Sequence, residues 1–453
     1  MARSKSVFVC QNCGAESPKW IGRCPSCGEW NTYHEEIITP VSSRNSSLVS
    51  GGERKKPELL SNISSDEKKR LKTGISELDR ILGGGMVAGS LILIGGEPGV
   101  GKSTLALQLA LSLKDTPILY VSGEESEEQI SLRAKRLQLN NPGCYILCET
   151  NLDNILTQSE NLKPGLIIID SVQTVSTDML ESSAGSVSQL RECSALLLKY
   201  SKTRGIPVFL IGHITKDGTL AGPKVLEHIV DVVLYFEGDS NYVYRILRSA
   251  KNRFGSTSEI GIFEMLGTGL KEVINPSGLF INQHDEPLSG ITIAATVDGL
   301  RPFLIETQAL VSSAVYGTPQ RSATGFDTRR LNMLLAILEK RAGFRLAVKD
   351  VFLNIAGGIK VNDPAIDLAI VSSVLSSSLD IPVSGEVCFA GETGLSGEIR
   401  PVSRIEQRIR EASKMGFKKI YLSKYHRNPS VKGIDIEIIT LAKIEHLVKA
   451  LFA

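Results

Sequence analysis

Gly95, Gly96, Glu97, Pro98, Gly99, Val100, Gly101, Lys102, Ser103 and Thr104 run consecutively, with four glycines set ahead of a lysine and two hydroxyls. Glycines at this density let backbone N–H groups close on an anion that a Cβ would hold off. The apolar run "LILI" comes just before, and the helical pattern "LALQLALSLK" just after. The lysine therefore opens a helix whose positive end faces the same anion. In that setting the spacing Gly96-x4-Gly101-Lys102-Ser103 is a phosphate-binding loop. It predicts a nucleoside triphosphate as the ligand, Lys102 on the β- and γ-phosphates, and the Ser103 hydroxyl on Mg²⁺.

Hydrolysis also needs a carboxylate near the metal and a group to orient water. The buried-strand pattern "LIIIDS" ends in Asp170, which suits the metal, although Ser171 follows where many ATPases carry a glutamate. "YVSGEES" offers Glu124 and Glu125 as bases, and "LIGHITKDG" puts His213 and Lys216 where a γ-phosphate could be sensed. All three segments follow apolar strands. In an open parallel sheet their ends share one edge, where such folds bind ligands.

A second chemistry is written in Cys10-x2-Cys13 and Cys24-x2-Cys27, each pair followed by a glycine (Gly14, Gly28). Two such knuckles supply four thiolates for a closed tetrahedral Zn²⁺ site. Cys144, Cys148, Cys193 and Cys388 lie in apolar surroundings and read as buried thiols. Lys19, Trp20 and Trp30 leave two uses open, contact with a partner or DNA, or packing on the finger itself.

The elements that must position these groups are legible as composition. In 453 residues, 42% are hydrophobic and 22% charged, with a net charge of +2. That excludes a global electrostatic field, so nucleic-acid contact would rest on local basic surfaces. No apolar run approaches a membrane span and the N-terminus lacks a signal core, so a cytoplasmic protein without membrane association is expected. Residues 1–33 read as the zinc module and 34–70, rich in Ser, Gly and charge, as a linker. Residues 71–270 alternate strand and helix patterns, as a mostly parallel α/β sheet does. Residues 271–284 form a second linker, and 285–453 are mixed.

"KNRFG" places Lys251 and Arg253 around Asn252, followed by Phe254 and Gly255, about 150 residues beyond the phosphate loop. By itself this is a solvated strand end. Two basic stretches follow. Residues 321–349 hold seven Lys/Arg against two acids, and 404–419 hold six against two. Each is a solvated helix face or a path for DNA phosphates, with Arg329, Arg330 and Lys340 the first candidates.

The order phosphate loop, "YVSGEES", "IIIDS", "LIGH", "KNRFG" resembles the RecA-type ATPase core. With the four-cysteine finger it resembles the bacterial RadA (Sms) family of recombination and repair ATPases, across essentially the whole chain. The resemblance implies that Glu124 activates water and that Lys251-Asn252-Arg253 reaches a neighbouring subunit's ATP, in a homo-oligomeric, hexameric ring. It also implies that loops 173–188 and 215–225, with Lys216 and Lys224, touch single-stranded DNA. The C-terminal block resembles the Lon proteolytic domain, an α+β fold, but Ala365 stands at the serine position and Glu406 at the lysine position, which leaves no dyad. The expected activity is DNA-stimulated ATP hydrolysis that moves recombination intermediates through branch migration, beside a RecA-type recombinase. A nucleotide-switched loading factor and an ATP-dependent peptidase are the rival readings.

Overall fold

The computed structural model describes residues 5–11, 14–38, 59, 70–212, 225–238, 243–282, 286–314, 319–427 and 433–453. Cys13, His213, Lys216 and Lys224 lie outside the described residues, as does most of 34–70. Two compact units divide between Val273 and Ile274, inside the 271–284 stretch.

The first unit begins with a ribbon of three antiparallel strands, β1 (Lys5–Cys10), β2 (Glu16–Ser17) and β3 (Tyr33–Ile38), in the order β2-β1-β3. A short pair, β4 (Arg70–Leu71) and β5 (Met86–Val87), brackets helix α1 (Ser76–Ile81). Strand and helix then alternate: β6 (Leu91–Gly96), α2 (Lys102–Ser112), β7 (Ile118–Ser122), α3 (Glu127–Leu137), β8 (Cys144–Cys148), α4 (Leu152–Leu162), β9 (Leu166–Asp170), α5 (Val187–Arg204), β10 (Val208–Ile211), α6 (Val225–Ile229) and β11 (Val232–Glu237). Three antiparallel strands, β12 (Tyr244–Asn252), β13 (Ile260–Leu266) and β14 (Gly269–Glu272), close the unit.

These strands form one nine-stranded sheet, β14-β13-β12-β11-β6-β10-β9-β7-β8, parallel from β11 through β8. Every residue of β6, β7, β9 and β10 is buried. The period of two sends Ile92 and Ile94 into one apolar layer and Leu91 and Leu93 into the other. Each such side chain withdrawn from water is worth roughly 1.5–3 kcal/mol, and two covered faces explain why these strands read as unbroken apolar runs. Helix starts follow local chemistry. Ser126 and Gln129 form a reciprocal capping box on α3, and Asn151 caps α4 through Asp153 N and Asn154 N.

Register fixes the edge that matters. Ile211 pairs with Ile94 and with Asp170, and Asp170 pairs with Ser122. The carboxyl ends of β6, β10, β9 and β7 therefore lie side by side.

The second unit opens with a short helix α7 (Ser277–Phe280) and builds a mixed seven-stranded sheet. Its chain order is β15 (Ile291–Asp298), β16 (Arg301–Ser313), β17 (Arg321–Thr324), α8 (Thr328–Ala342), β18 (Lys349–Ile355), α9 (Asp367–Leu379), β19 (Val387–Ala390), the pair β20 (Glu392–Thr393) and β21 (Ile399–Arg400), α10 (Ile405–Lys414), β22 (Lys419–Ser423), β23 (Glu437–Leu441) and α11 (Ile444–Phe452). The sheet runs β17-β18-β16-β15-β19-β22-β23.

Candidate nucleotide site, cysteine cluster and basic surfaces

The phosphate loop joins β6 to α2, with its tip, Glu97 to Gly99, exposed. Gly99 and Gly101 take φ of +79° and +112°, which L side chains rarely adopt. Gly96 is demanded by a neighbour instead, because a Cβ there would lie 2.5 Å from the backbone oxygen of Phe236 on β11. Lys102, the first residue of α2, is nearly fully buried and donates from Nζ to the carbonyls of Gly96 (2.8 Å) and Glu97 (2.9 Å). Burial lowers its pKa, and the charges of Asp170 and Glu124 act in the opposite direction. The loop lysine and both predicted carboxylates thus share one electrostatic environment.

Asp170 ends β9 in a buried position, and the Tyr120 hydroxyl on β7 donates to its Oδ2 at 2.8 Å. Burial and the adjacent Asp170 push the Tyr120 hydroxyl well above its ordinary pKa, so it stays a donor. The peptide bond from Asp170 to Ser171 is cis. Ser171, fully buried, donates from Oγ to Glu124 Oε1 at 2.6 Å. Glu125 turns instead to an ion pair with Arg133 on α3. Of the two acids in "GEES", Glu124 accepts from the residue next to Asp170 and its charge acts on Lys102, whereas Glu125 is paired with Arg133. The Ser103 hydroxyl and the Asp170 carboxylate offer hard oxygen donors of the kind Mg²⁺ selects, so the residues fit that ion. Tyr120 carries no motif in the sequence, and Ser171 stands out there only as the residue that replaces a glutamate. Its hydroxyl beside the critical aspartate was the available signal.

Lys251 and Arg253 sit elsewhere. Val232, the first residue of β11, pairs with Asn252, while Phe236 at the far end pairs with Gly96 of the loop. The cations therefore lie at the amino-terminal edge of the parallel strands, roughly 13–16 Å of strand away from their own phosphate loop. Lys251 Nζ donates to the carbonyls of Glu227 (2.6 Å), His228 (3.4 Å) and Val230 (2.8 Å) at the end of α6. Arg253, half exposed, pairs at 3.4 Å with Asp231, a buried acid that also accepts from Leu91 N and Lys202. Asn252 donates to Ile81 O, and Phe254 O accepts from Arg70. Gly255 lies so close to Gly83 that a Cβ would meet its Cα at 3.1 Å. The motif is locked to the loop after α1.

In the ribbon, the ligand atoms of Cys10, Cys24 and Cys27 lie within 4.8 Å of one another. Gly14 N donates to Cys10 O and Gly28 N to Cys24 O, so the two knuckles are built alike around glycines of positive φ. Zn–S bonds near 2.3 Å at tetrahedral angles set sulfurs about 3.8 Å apart, and Cys10 Sγ lies 3.8 Å from Cys27 Sγ. The three described thiols fit Zn²⁺. Trp20 and Trp30 are 53% and 66% exposed, so the ribbon does not enclose them. Of the remaining cysteines, Cys193 and Cys388 are buried as expected, whereas Cys148 is exposed and Cys144 only partly covered. The reason is that β8 is the edge strand of its sheet, and an apolar run there is not covered on all sides.

In the second unit Ala365 is fully buried and Glu406 is exposed in the first turn of α10. Between their segments lies a buried ion pair, Arg408 to Asp363 at 2.6 Å. Thr296 Oγ1, Val297 N and Ala365 N also donate to Asp363. Burial pushes the Asp363 carboxyl up, but the Arg408 charge and these hydrogen bonds outweigh it and hold the group below its usual range. Arg329 and Lys340 are exposed on α8. Eleven residues apart, they share one helix face. Arg330 corrects the sequence reading, because its Nε and NH2 donate to both oxygens of the buried Asp367 at 2.7 and 2.6 Å. It belongs to an internal pair rather than a free basic face. The loop 173–188 is tied to Gln189, which donates to the carbonyls of Thr177, Leu180 and Ser182.

Family models match three stretches: KaiC over residues 71–142, a rubredoxin metal-binding domain over 8–35, and subunit ChlI of Mg-chelatase over 307–426. The chain is 50% identical over 448 residues to DNA repair protein RadA of Bacillus subtilis (strain 168), covering 98% of each chain. It is 48% identical over 456 residues to DNA repair protein RadA of Listeria monocytogenes, covering 100% of each. Among solved structures, the KaiC-like protein PH0186 of Pyrococcus horikoshii OT3 is similar at 20% identity and a TM-score of 0.38, over 45% of this chain and 99% of that one.

Proposed function

Because the chain belongs to the family of the bacterial DNA repair protein RadA, we propose that it is a DNA-stimulated ATPase that drives branch migration of recombination intermediates as a ring translocase. Lys102 and the loop amides bind the triphosphate, Ser103 and Asp170 hold Mg²⁺, and Glu124 takes the proton of the attacking water. Mg²⁺ supplies charge neutralisation on the phosphates when bound. Single-stranded and branched DNA are the substrates, with Arg329 and Lys340 among the phosphate contacts, Lys216 and Lys224 in the loops, and a RecA-type recombinase as partner. His213 senses the γ-phosphate. Zn²⁺ closes the ribbon on Cys10, Cys13, Cys24 and Cys27. The second unit acts as a non-peptidase scaffold, and the protein works in the cytoplasm.

The observation that carries this reading is the separation of two charge sets across one sheet. Lys102, Asp170 and Glu124 occupy one end of the parallel strands; Lys251 and Arg253 occupy the other. Cations that cannot reach their own site complete a neighbour's in a head-to-tail assembly, and such contacts close into rings, here read as hexameric.

The test mixes two dead chains. Glu124→Gln keeps its cations and loses its base, and Lys251→Ala does the reverse. With single-stranded DNA present, each alone should hydrolyse ATP at least about 10³-fold more slowly than wild type. In a random equimolar mixture roughly a quarter of the interfaces pair an intact base with intact cations, and activity should return in proportion. Normal oligomers with no recovery would reject action across subunits. Hydrolysis indifferent to DNA would reject the motor.

A further inference from the structure

Trp20 and Trp30 are the chain's two tryptophans, and both stand outside the ribbon's apolar core, which is built from Cys10, Cys24 and Tyr33 with Phe8, Ala15, Ile21 and Cys27 against it. Both flank one glycine. A Cβ added at Gly22 would lie 3.6 Å from Cη2 of Trp20 and 3.9 Å from Cζ3 of Trp30. Gly22 is thus a floor without a side chain between two exposed indoles. Arg23, bridged in register to Trp30, holds its guanidinium 5.8 Å from that ring's centroid, while its Nε donates to Gly28 O at 3.0 Å. Lys19, exposed, adjoins Trp20.

Two large aromatic faces left in water are costly for a module whose core is so small, and adjacent ones mark a contact surface. The flanking cations select the occupant. Rings bordered by Lys and Arg suit bases that stack while the backbone phosphates meet the charges. Gly22 adds no side chain between the exposed rings, which leaves them open to a stacking base.

We propose that the ribbon binds single-stranded nucleic acid by stacking bases on Trp20 and Trp30 over Gly22, with Arg23 and Lys19 on the phosphates. This rests on the DNA reading above and adds a recognition surface on the ribbon, apart from the loops and helix considered there.

The two indoles report on the surface directly, because no other tryptophan contributes to emission. Full-length protein is titrated with an oligothymidylate and with an abasic oligonucleotide of equal length, each followed by tryptophan emission and by anisotropy of an end label. Stacking predicts that oligothymidylate quenches the indoles at the concentrations where anisotropy reports binding, and that the abasic strand binds without comparable quenching. Trp30→Ala should weaken oligothymidylate binding roughly 5- to 100-fold. Gly22→Leu, which keeps both indoles and all four cysteines, should block the quench. Binding by anisotropy with unchanged emission overturns the slot and leaves the DNA reading standing. Emission that responds only to an added protein partner assigns the surface to protein and also overturns the slot. No binding in either readout overturns both.

Discussion

Replacing Ser171 with alanine isolates the group that aims Glu124. The serine is fully buried, and its hydroxyl gives one hydrogen bond of 2.6 Å to Glu124 Oε1. A hydrogen bond to a charged group contributes about 1.5–3 kcal/mol. Glu124 is exposed, so water competes for the vacated oxygen and the low end applies. At about 1.4 kcal/mol per tenfold in rate, kcat should fall about tenfold. The contacts of Lys102 are untouched, so KM for ATP should stay within about twofold; the loss lies in the step and not in binding. Phosphate release at saturating ATP, with single-stranded DNA, measures both constants. Ser171→Thr keeps the hydroxyl and should recover most of the rate, which a general packing defect would not do. A Ser171→Ala enzyme with kcat within twofold of wild type, or with its whole defect in KM, would refute the assignment of Ser171 as the orienting group.

Three further outcomes follow from other contacts. Gly96→Ala would set a Cβ 2.5 Å from Phe236 O, a backbone atom of a central strand that cannot step aside; a loss of about 1–3 kcal/mol in urea unfolding is expected, with nucleotide binding impaired. Arg330→Ala should cost about 3–5 kcal/mol because it strands the buried Asp367, whereas Arg329→Ala and Lys340→Ala should unfold normally and each lower the salt slope of DNA binding by about 1. His426 accepts from Val402 N at 3.4 Å through Nε2, and burial, then the Arg408 charge, lower its pKa below 6.5. The folded unit therefore binds fewer protons than the unfolded chain below pH 6.5, so stability should decline as pH falls past that value, and His426→Gln should flatten the dependence in thermal melts at pH 5 to 8.

What the sequence disclosed was local. The phosphate loop could be read because its strand, glycines, lysine and helix are contiguous, and Asp170 because an apolar strand ends in it. Both knuckles carry their glycine beside the ligands. Contacts that depend on strand register could not be read. Tyr120 reaches Asp170 because Ser122 pairs with it and Tyr120 lies two residues back on the same face. The Arg330–Asp367 and Arg408–Asp363 pairs join residues 37 and 45 apart, and the same arginines read in sequence as undifferentiated basic surface. Cys148 failed for the opposite reason. Its neighbours are apolar, but its strand is the sheet's edge, and pattern alone does not say which strand ends a sheet.

The grip of Lys102 on its own loop alters what its removal means. The ammonium bridges the Gly96 and Glu97 carbonyls. Truncating the lysine takes away that clasp as well as the phosphate contact, so an alanine variant begins from a looser loop. Hydrogen exchange at Glu97 to Gly101 should quicken in it before any ligand is added. The Glu124→Gln chain keeps the clasp and gives the cleaner picture of an enzyme that binds ATP without consuming it.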